Sequence, residues 1–105
     1  MNTSCLVGIQ HIFGQVEYIT IDWDGQDVEY VLRTHYMSRD KVVELIRGGS
    51  RPFLGGPDDI MEEVGDSPKV VRTHQDFFQI KKDFLDYYYL FNTDNSWTIY
   101  SRTKL

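Results

Sequence analysis

An α+β fold is predicted by three features of this 105-residue chain. Each end carries a pair of β-rich runs broken by turn formers. Between the ends lies apolar spacing of helical period with recognisable stop and start residues. The remaining stretch is rich in glycine and proline and joins the two halves. The expected architecture is one antiparallel sheet built from an N-terminal and a C-terminal hairpin, with two to three helices packed on one face. The length and the absence of an internal repeat or composition boundary fit a single domain over 1–105.

The first hairpin is read over 5–12 and 15–22, joined by Phe13 and Gly14. Tyr, Val, Ile and Thr dominate both runs, as half-buried strands require. In the second run Val16, Tyr18, Thr20 and Asp22 share one face, and Glu17, Ile19 and Ile21 the other. The period then changes. Val28, Val31, Leu32 and His35 fall at i, i+3, i+4 and i+7, which predicts a helix over about 27–36. A second helix is expected over 38–47. Ser38 is its N-cap, Asp40 suits the first turn, and Val42, Leu45 and Ile46 form its apolar stripe. Arg47 lies in its last turn, and Gly48 and Gly49 stop it.

Residues 48–68 hold five of the eight glycines and all three prolines, with Asp58, Asp59, Glu62, Glu63 and Asp66. This predicts an irregular acidic loop, with a short helical turn at 59–63. Val70 and Val71 suit a short edge strand. Phe77, Ile80, Lys81 and Phe84 share a helical face within 75–85, although Phe77 and Phe78 would also suit a strand. The second hairpin is read over 86–92 and 97–101, around the turn formers Thr93, Asp94, Asn95 and Ser96.

Charge narrows the function classes. Residues 1–32 contain Glu17, Asp22, Asp24, Asp27 and Glu29 but no Lys or Arg, so the chain's formal charge of −5 comes from this third alone. An acidic chain is poorly suited to direct nucleic-acid binding, which needs clustered bases to displace counterions. No apolar run approaches the roughly 20 residues that cross a bilayer, and the first residues carry no basic leader. A single cysteine, Cys5, forms no internal disulfide and fits a reducing compartment. The expected location is cytoplasmic.

The candidate site begins with Asp22-Trp23-Asp24-Gly25, where the second strand stops. Acids at relative positions 1 and 3 invite comparison with a calcium loop. However, Asp27 stands where that loop needs Gly, and Arg33 where it needs Glu, so no metal site is expected. Helix capping by Asp24 or Asp27 is the competing role. Trp23 is either a stacking platform or a core residue at a strand end. His11, His35 and His74 lack zinc spacing, and Cys5 reads as a small buried residue rather than a nucleophile. His35 and Tyr36 close the first helix, where a protonated His would suit the dipole. Tyr87, Tyr88 and Tyr89 alternate faces, which predicts at least one tyrosine turned to solvent or a partner.

Together these segments resemble a family of small uncharacterised proteins of tailed bacteriophages and prophages. Its members open with an Ile-Gly strand, here Val7-Gly8-Ile9, and carry a His-Trp-Asp-Gly-Tyr turn, here Asp22-Trp23-Asp24-Gly25-Gln26. A Leu-x-x-His-Tyr element stands as Leu32, His35 and Tyr36. The helix end matches at Leu45, Ile46 and Gly49, and the C-terminal aromatic strands match at Tyr87 to Phe91 and Trp97. Asp22 replaces the family's His and Gln26 its Tyr, and the stretch from Gly25 to His35 is about two residues short. The resemblance implies a phage accessory protein in the bacterial host cytosol, acting against host defence, and brings no activity with it.

The expected function is therefore non-catalytic, with no cofactor: binding of a host protein through an acidic and aromatic surface. The alternative is a sequestering protein for a small nucleotide-like ligand. The candidate binding residues are Asp22, Trp23, Asp24, Gly25, Asp27, Glu29, His35, Tyr36 and Tyr88. Arg33, Arg39 and Arg51 are the phosphate contacts if the ligand is nucleotide-like.

Overall fold

The computed structural model describes residues 4–22, 28–50, 54, 65–81 and 85–101. Five strands form one sheet in the order β3-β2-β1-β4-β5. In chain order the elements are β1 (Ser4–Gln10), β2 (Val16–Ile21), α1 (Val28–His35), α2 (Arg39–Arg47), β3 (Lys69–Val71), α3 (His74–Phe78), β4 (Leu85–Phe91) and β5 (Trp97–Ser101). Both expected hairpins are present, β1 with β2 and β4 with β5. Val70 and Val71 lie in an edge strand that pairs antiparallel with β2.

The sheet is mixed rather than antiparallel throughout, because the leading strands of the two hairpins pair parallel, Cys5 with Tyr87 through Ile9 with Phe91. Strand alternation then divides the core in two. Cys5, Val7, Ile9, Ile19, Ile21, Tyr89 and Phe91 face one way and pack with Val28 and Leu32 of α1 and Val42, Leu45 and Ile46 of α2. Leu6, Val16, Tyr88 and Leu90 face the other way and pack with Phe77 of α3. Two helices thus share a face as expected, and the third covers the opposite one.

The helix boundaries follow from local chemistry. Ser38 caps α2, its hydroxyl accepting from the Lys41 N–H at 3.4 Å, and Gly48 and Gly49 close it, Gly49 at φ 85°. Thr73 caps α3 in the same way, accepting from the Asp76 N–H at 3.1 Å. The helical stripe read over 75–85 ends early: α3 stops at Phe78 and β4 has begun by Leu85. Residues 50 and 65–66 clasp each other, the Ser50 N–H donating to the Asp66 carbonyl and the Gly65 N–H to the Ser50 carbonyl. The Ser50 hydroxyl meanwhile accepts from the Thr20 N–H at 2.9 Å, satisfying β2 where β3 no longer covers it. The helical turn expected at 59–63 lies outside the described residues.

Candidate functional site

The parallel pairing of β1 and β4 has a geometric consequence: both strands end at the same edge of the molecule, so the two hairpin turns emerge side by side. The turns share one hydrogen-bond pattern. In the first, the His11 N–H donates to the Gln15 carbonyl at 2.8 Å and the Gly14 N–H to the His11 carbonyl at 2.9 Å. In the second, the Asn92 N–H donates to the Ser96 carbonyl at 2.8 Å and the Asn95 N–H to the Asn92 carbonyl at 3.0 Å. Each has a left-handed residue in the fourth position, Gly14 at φ 97° and Asn95 at φ 65°. That is the three-residue hairpin loop closed by a left-handed bulge residue.

A concavity of about 570 Å³ opens at this pole, lined by His11, Ile12, Phe13 and Gln15 of the first turn, Thr93 of the second, and Arg39 at the start of α2. Its size falls in the range of small-molecule sites, roughly 300–1,000 Å³. Among the described residues that line it there is no carboxylate. The Arg39 guanidinium is anchored through Nη2, which donates to the Gln10 carbonyl at the end of β1. Its Nη1 is covered from solvent and has no hydrogen-bond partner among the described residues. His11 is held by Glu17, Nε2 to Oε1 at 3.1 Å. The link between α1 and α2 is tied to the same pole, where Trp97 Nε1 donates to the Tyr36 carbonyl at 3.0 Å. A second concavity of about 330 Å³ lies along that link, lined by Thr34, His35, Met37, Ser38 and Lys41.

The sequence-derived candidates are scattered relative to this pole. Asp22 is exposed and follows β2 at the opposite end of the sheet, where its backbone carbonyl accepts from the Ser4 hydroxyl at 3.3 Å. Glu29 and Arg33 pair along α1, Nε to Oε2 at 3.0 Å, both half-exposed. His35 is exposed and lines the smaller concavity. Of the two proposed phosphate contacts that are described, Arg39 lines the larger one and Arg33 does not. Trp23, Asp24, Gly25, Asp27 and Arg51 lie outside the described residues.

Two candidates are corrected to core residues. Tyr88 is fully buried, packed edge-on against Phe77 at 5.9 Å, with its hydroxyl donating to the Ile80 carbonyl. Tyr36 is 8% exposed and belongs to the cluster under α1 and α2. The tyrosine run presents no fully exposed ring: Tyr89 is buried and Tyr87 half-buried, stacked at 6.2 Å. Burial pushes the Tyr89 phenol above its ordinary value of 10.0, and nearby Cys5, Glu29 and Tyr87 add to the shift.

Sequence reasoning passed over His11, Ile12, Phe13, Gln15 and Thr93. The available signal was the pair of large apolar residues, Ile12 and Phe13, in turn positions that usually take polar ones. Among the described residues there is no group of three metal-ligating side chains, and no helix is long and apolar enough to cross a membrane. No protein-family profile, curated protein or solved structure matches the chain.

Proposed function

We propose that the protein is a non-catalytic binder of a small anionic ligand, phosphate-bearing by preference, held in the concavity between the two hairpin turns. The observation that carries this reading is Arg39, which lines the cavity and has one guanidinium nitrogen, Nη1, covered from solvent without an acceptor among the described residues. A covered, unsatisfied donor costs about 1–3 kcal/mol, and more when charged. A ligand oxyanion would supply the missing acceptor once the side chain turns Nη1 out from under its cover. Among the described lining residues Arg39 is a cation and none is a carboxylate, which supports the same choice in a chain of net charge −5. The position of the cavity, beyond the carboxyl ends of two parallel strands, is also where open α/β sheets commonly bind ligands. The test is a titration with inorganic phosphate and pyrophosphate followed by amide chemical shifts. Residues 11–15, Arg39 and Thr93 should move together in the native chain and stay still in Arg39→Gln. Shifts elsewhere, or none at millimolar ligand, would refute the assignment.

The charge asymmetry favours a second reading, in which residues 22–29 bind a basic host protein. Neutralising Asp24, Asp27 and Glu29 to Asn, Asn and Gln should then slow association with that partner and flatten its salt dependence. An unchanged rate removes the acidic segment from the interface.

A further inference from the structure

We infer that the ligand carries a planar ring as well as its anionic group, the ring stacking on Phe13 while the anion engages Arg39, so that the site takes a nucleoside monophosphate by its two ends. This rests on the anion-binding reading of the same cavity.

The observation is an internal comparison. The turn over 11–15 and the turn over 92–96 have the same backbone hydrogen bonds and the same left-handed fourth residue. Aligned on that pattern, Ile12 corresponds to Thr93 and Phe13 to Asp94. The polar version is the self-sufficient one. The Asp94 carboxylate accepts from the Ser96 N–H at 3.1 Å and from the Ser96 hydroxyl at 2.5 Å, and these bonds hold its carboxyl below the usual range. Phe13 forgoes such bonds and leaves its ring 89% exposed beside Ile12 at 83%. Backbone geometry does not ask for either side chain, because Gly14 supplies the left-handed residue.

A single exposed apolar residue is ordinary. Two adjacent ones lining the same cavity as Arg39 are not explained by the turn. An aromatic face beside a cation is the combination that takes a base and a phosphate, and stacking is tolerant of which base it receives. Gln15, Thr93 and His11 supply donors and acceptors around the rim, a mixed set that fits base edges without selecting one.

The test is calorimetric titration of the intact chain with four probes: inorganic phosphate, ribose 5-phosphate, adenosine and adenosine 5′-monophosphate. The monophosphate should bind about tenfold more tightly than ribose 5-phosphate, the scale of one stacked base. Phe13→Ala should erase that difference and leave phosphate binding unchanged, whereas Phe13→Trp should keep it. Arg39→Gln should weaken every phosphate-bearing probe and spare adenosine. Because Phe13 is exposed, its variants should unfold at the native midpoint, so any loss of binding is local. Equal affinity for the monophosphate and ribose 5-phosphate, with Arg39 dependence intact, overturns the ring and leaves the anion site standing. No binding of any phosphate-bearing probe overturns both.

Discussion

A single methyl group placed on Gly8 tests the packing of α3 over the sheet. Gly8 sits mid-strand in β1, between Tyr18 of β2 and Leu90 of β4. A Cβ there would stand 2.8 Å from Val16 Cγ1 and 3.0 and 3.1 Å from the Phe77 ring carbons Cε1 and Cζ. Carbon atoms rest at about 3.5–4.0 Å, so Val16 would have to retreat by roughly 0.7–1.2 Å. Neither neighbour has room. Val16 is fully buried and pinned in register between Gln10 and Val71. Phe77 is fully buried among Tyr18, Phe78 and Tyr88, with ring centroids 5.7, 5.2 and 5.9 Å away.

Overpacking of this kind costs about 1–3 kcal/mol, and replacing a strand glycine with alanine returns about 0.5–1 kcal/mol of backbone entropy. Gly8→Ala should therefore destabilise by roughly 1 kcal/mol, a fall of about 4–8 °C in the thermal midpoint of a domain this size. Urea unfolding followed by far-ultraviolet dichroism measures it. Phe77→Leu supplies the control: if the clash is with the ring, the double variant should be less destabilised than the sum of the singles by at least about 0.5 kcal/mol. A Gly8→Ala protein as stable as the native chain would refute the packing, whereas additivity with Phe77→Leu would place the clash on Val16 rather than on the α3 ring.

Three further outcomes are expected. Trp97→Phe keeps the edge-on contact with Phe91 at 5.0 Å but removes the indole hydrogen bond to the Tyr36 carbonyl, so it should cost about 0.5–1.5 kcal/mol in urea unfolding; no measurable loss would show that water replaces the indole. Burial raises the Tyr89 phenol above 10.0 and raises Tyr18 as well. Unfolded tyrosines ionise first, so stability should be full below about pH 10 and fall as pH rises towards the folded-state values; tyrosinate absorbance showing all seven tyrosines titrating together in a still-folded chain would contradict this. Arg39→Met should change stability by less than about 1 kcal/mol, because losing the bond to Gln10 is offset by removing an unsatisfied charged donor; a loss above about 3 kcal/mol would make Arg39 a structural keystone instead.

The strands and the helices on one face were legible because local chemistry and tertiary structure agree there. Val42, Leu45 and Ile46 are the buried residues of α2, and Ser38 and Gly48 bound it where cap preferences place them. The parallel pairing of β1 with β4 was not legible, since residues far apart in the chain choose it and either hairpin is self-consistent without it. The end of α3 was hidden for a related reason. Phe77, Ile80 and Phe84 have helical spacing, but Phe77 and Ile80 pack on the second core cluster with the helix already finished at Phe78. The tyrosine run misled because alternation was read as one buried face and one open one, while both faces of β4 are covered: Tyr89 lies on the α1 and α2 side and Tyr88 on the α3 side. The charge asymmetry pointed to 22–29, a property of composition, whereas the cavity depends on which two turns the parallel strands deliver together.

That pole is also where local rules are broken in concert. Arg39 occupies the first helical position of α2, where a cation opposes the positive end of the helix by about 0.3–1 kcal/mol. Its Nη1 is covered without an acceptor among the described residues, although bonding to protein or water is the rule for buried donors. Phe13 is turned outward in a loop whose counterpart in the same molecule carries a self-bonded aspartate. Each departure has a separate physical origin, electrostatic, hydrogen-bonding and hydrophobic, and each would be relieved by the same event, the arrival of a ligand with a flat apolar face and an anionic end. Conflicts between local preference and global fold are tolerated in natural proteins chiefly where function requires them. Three such conflicts of different kinds around one cavity make the pole, rather than the acidic stretch that begins at Asp22, the better place to test for binding.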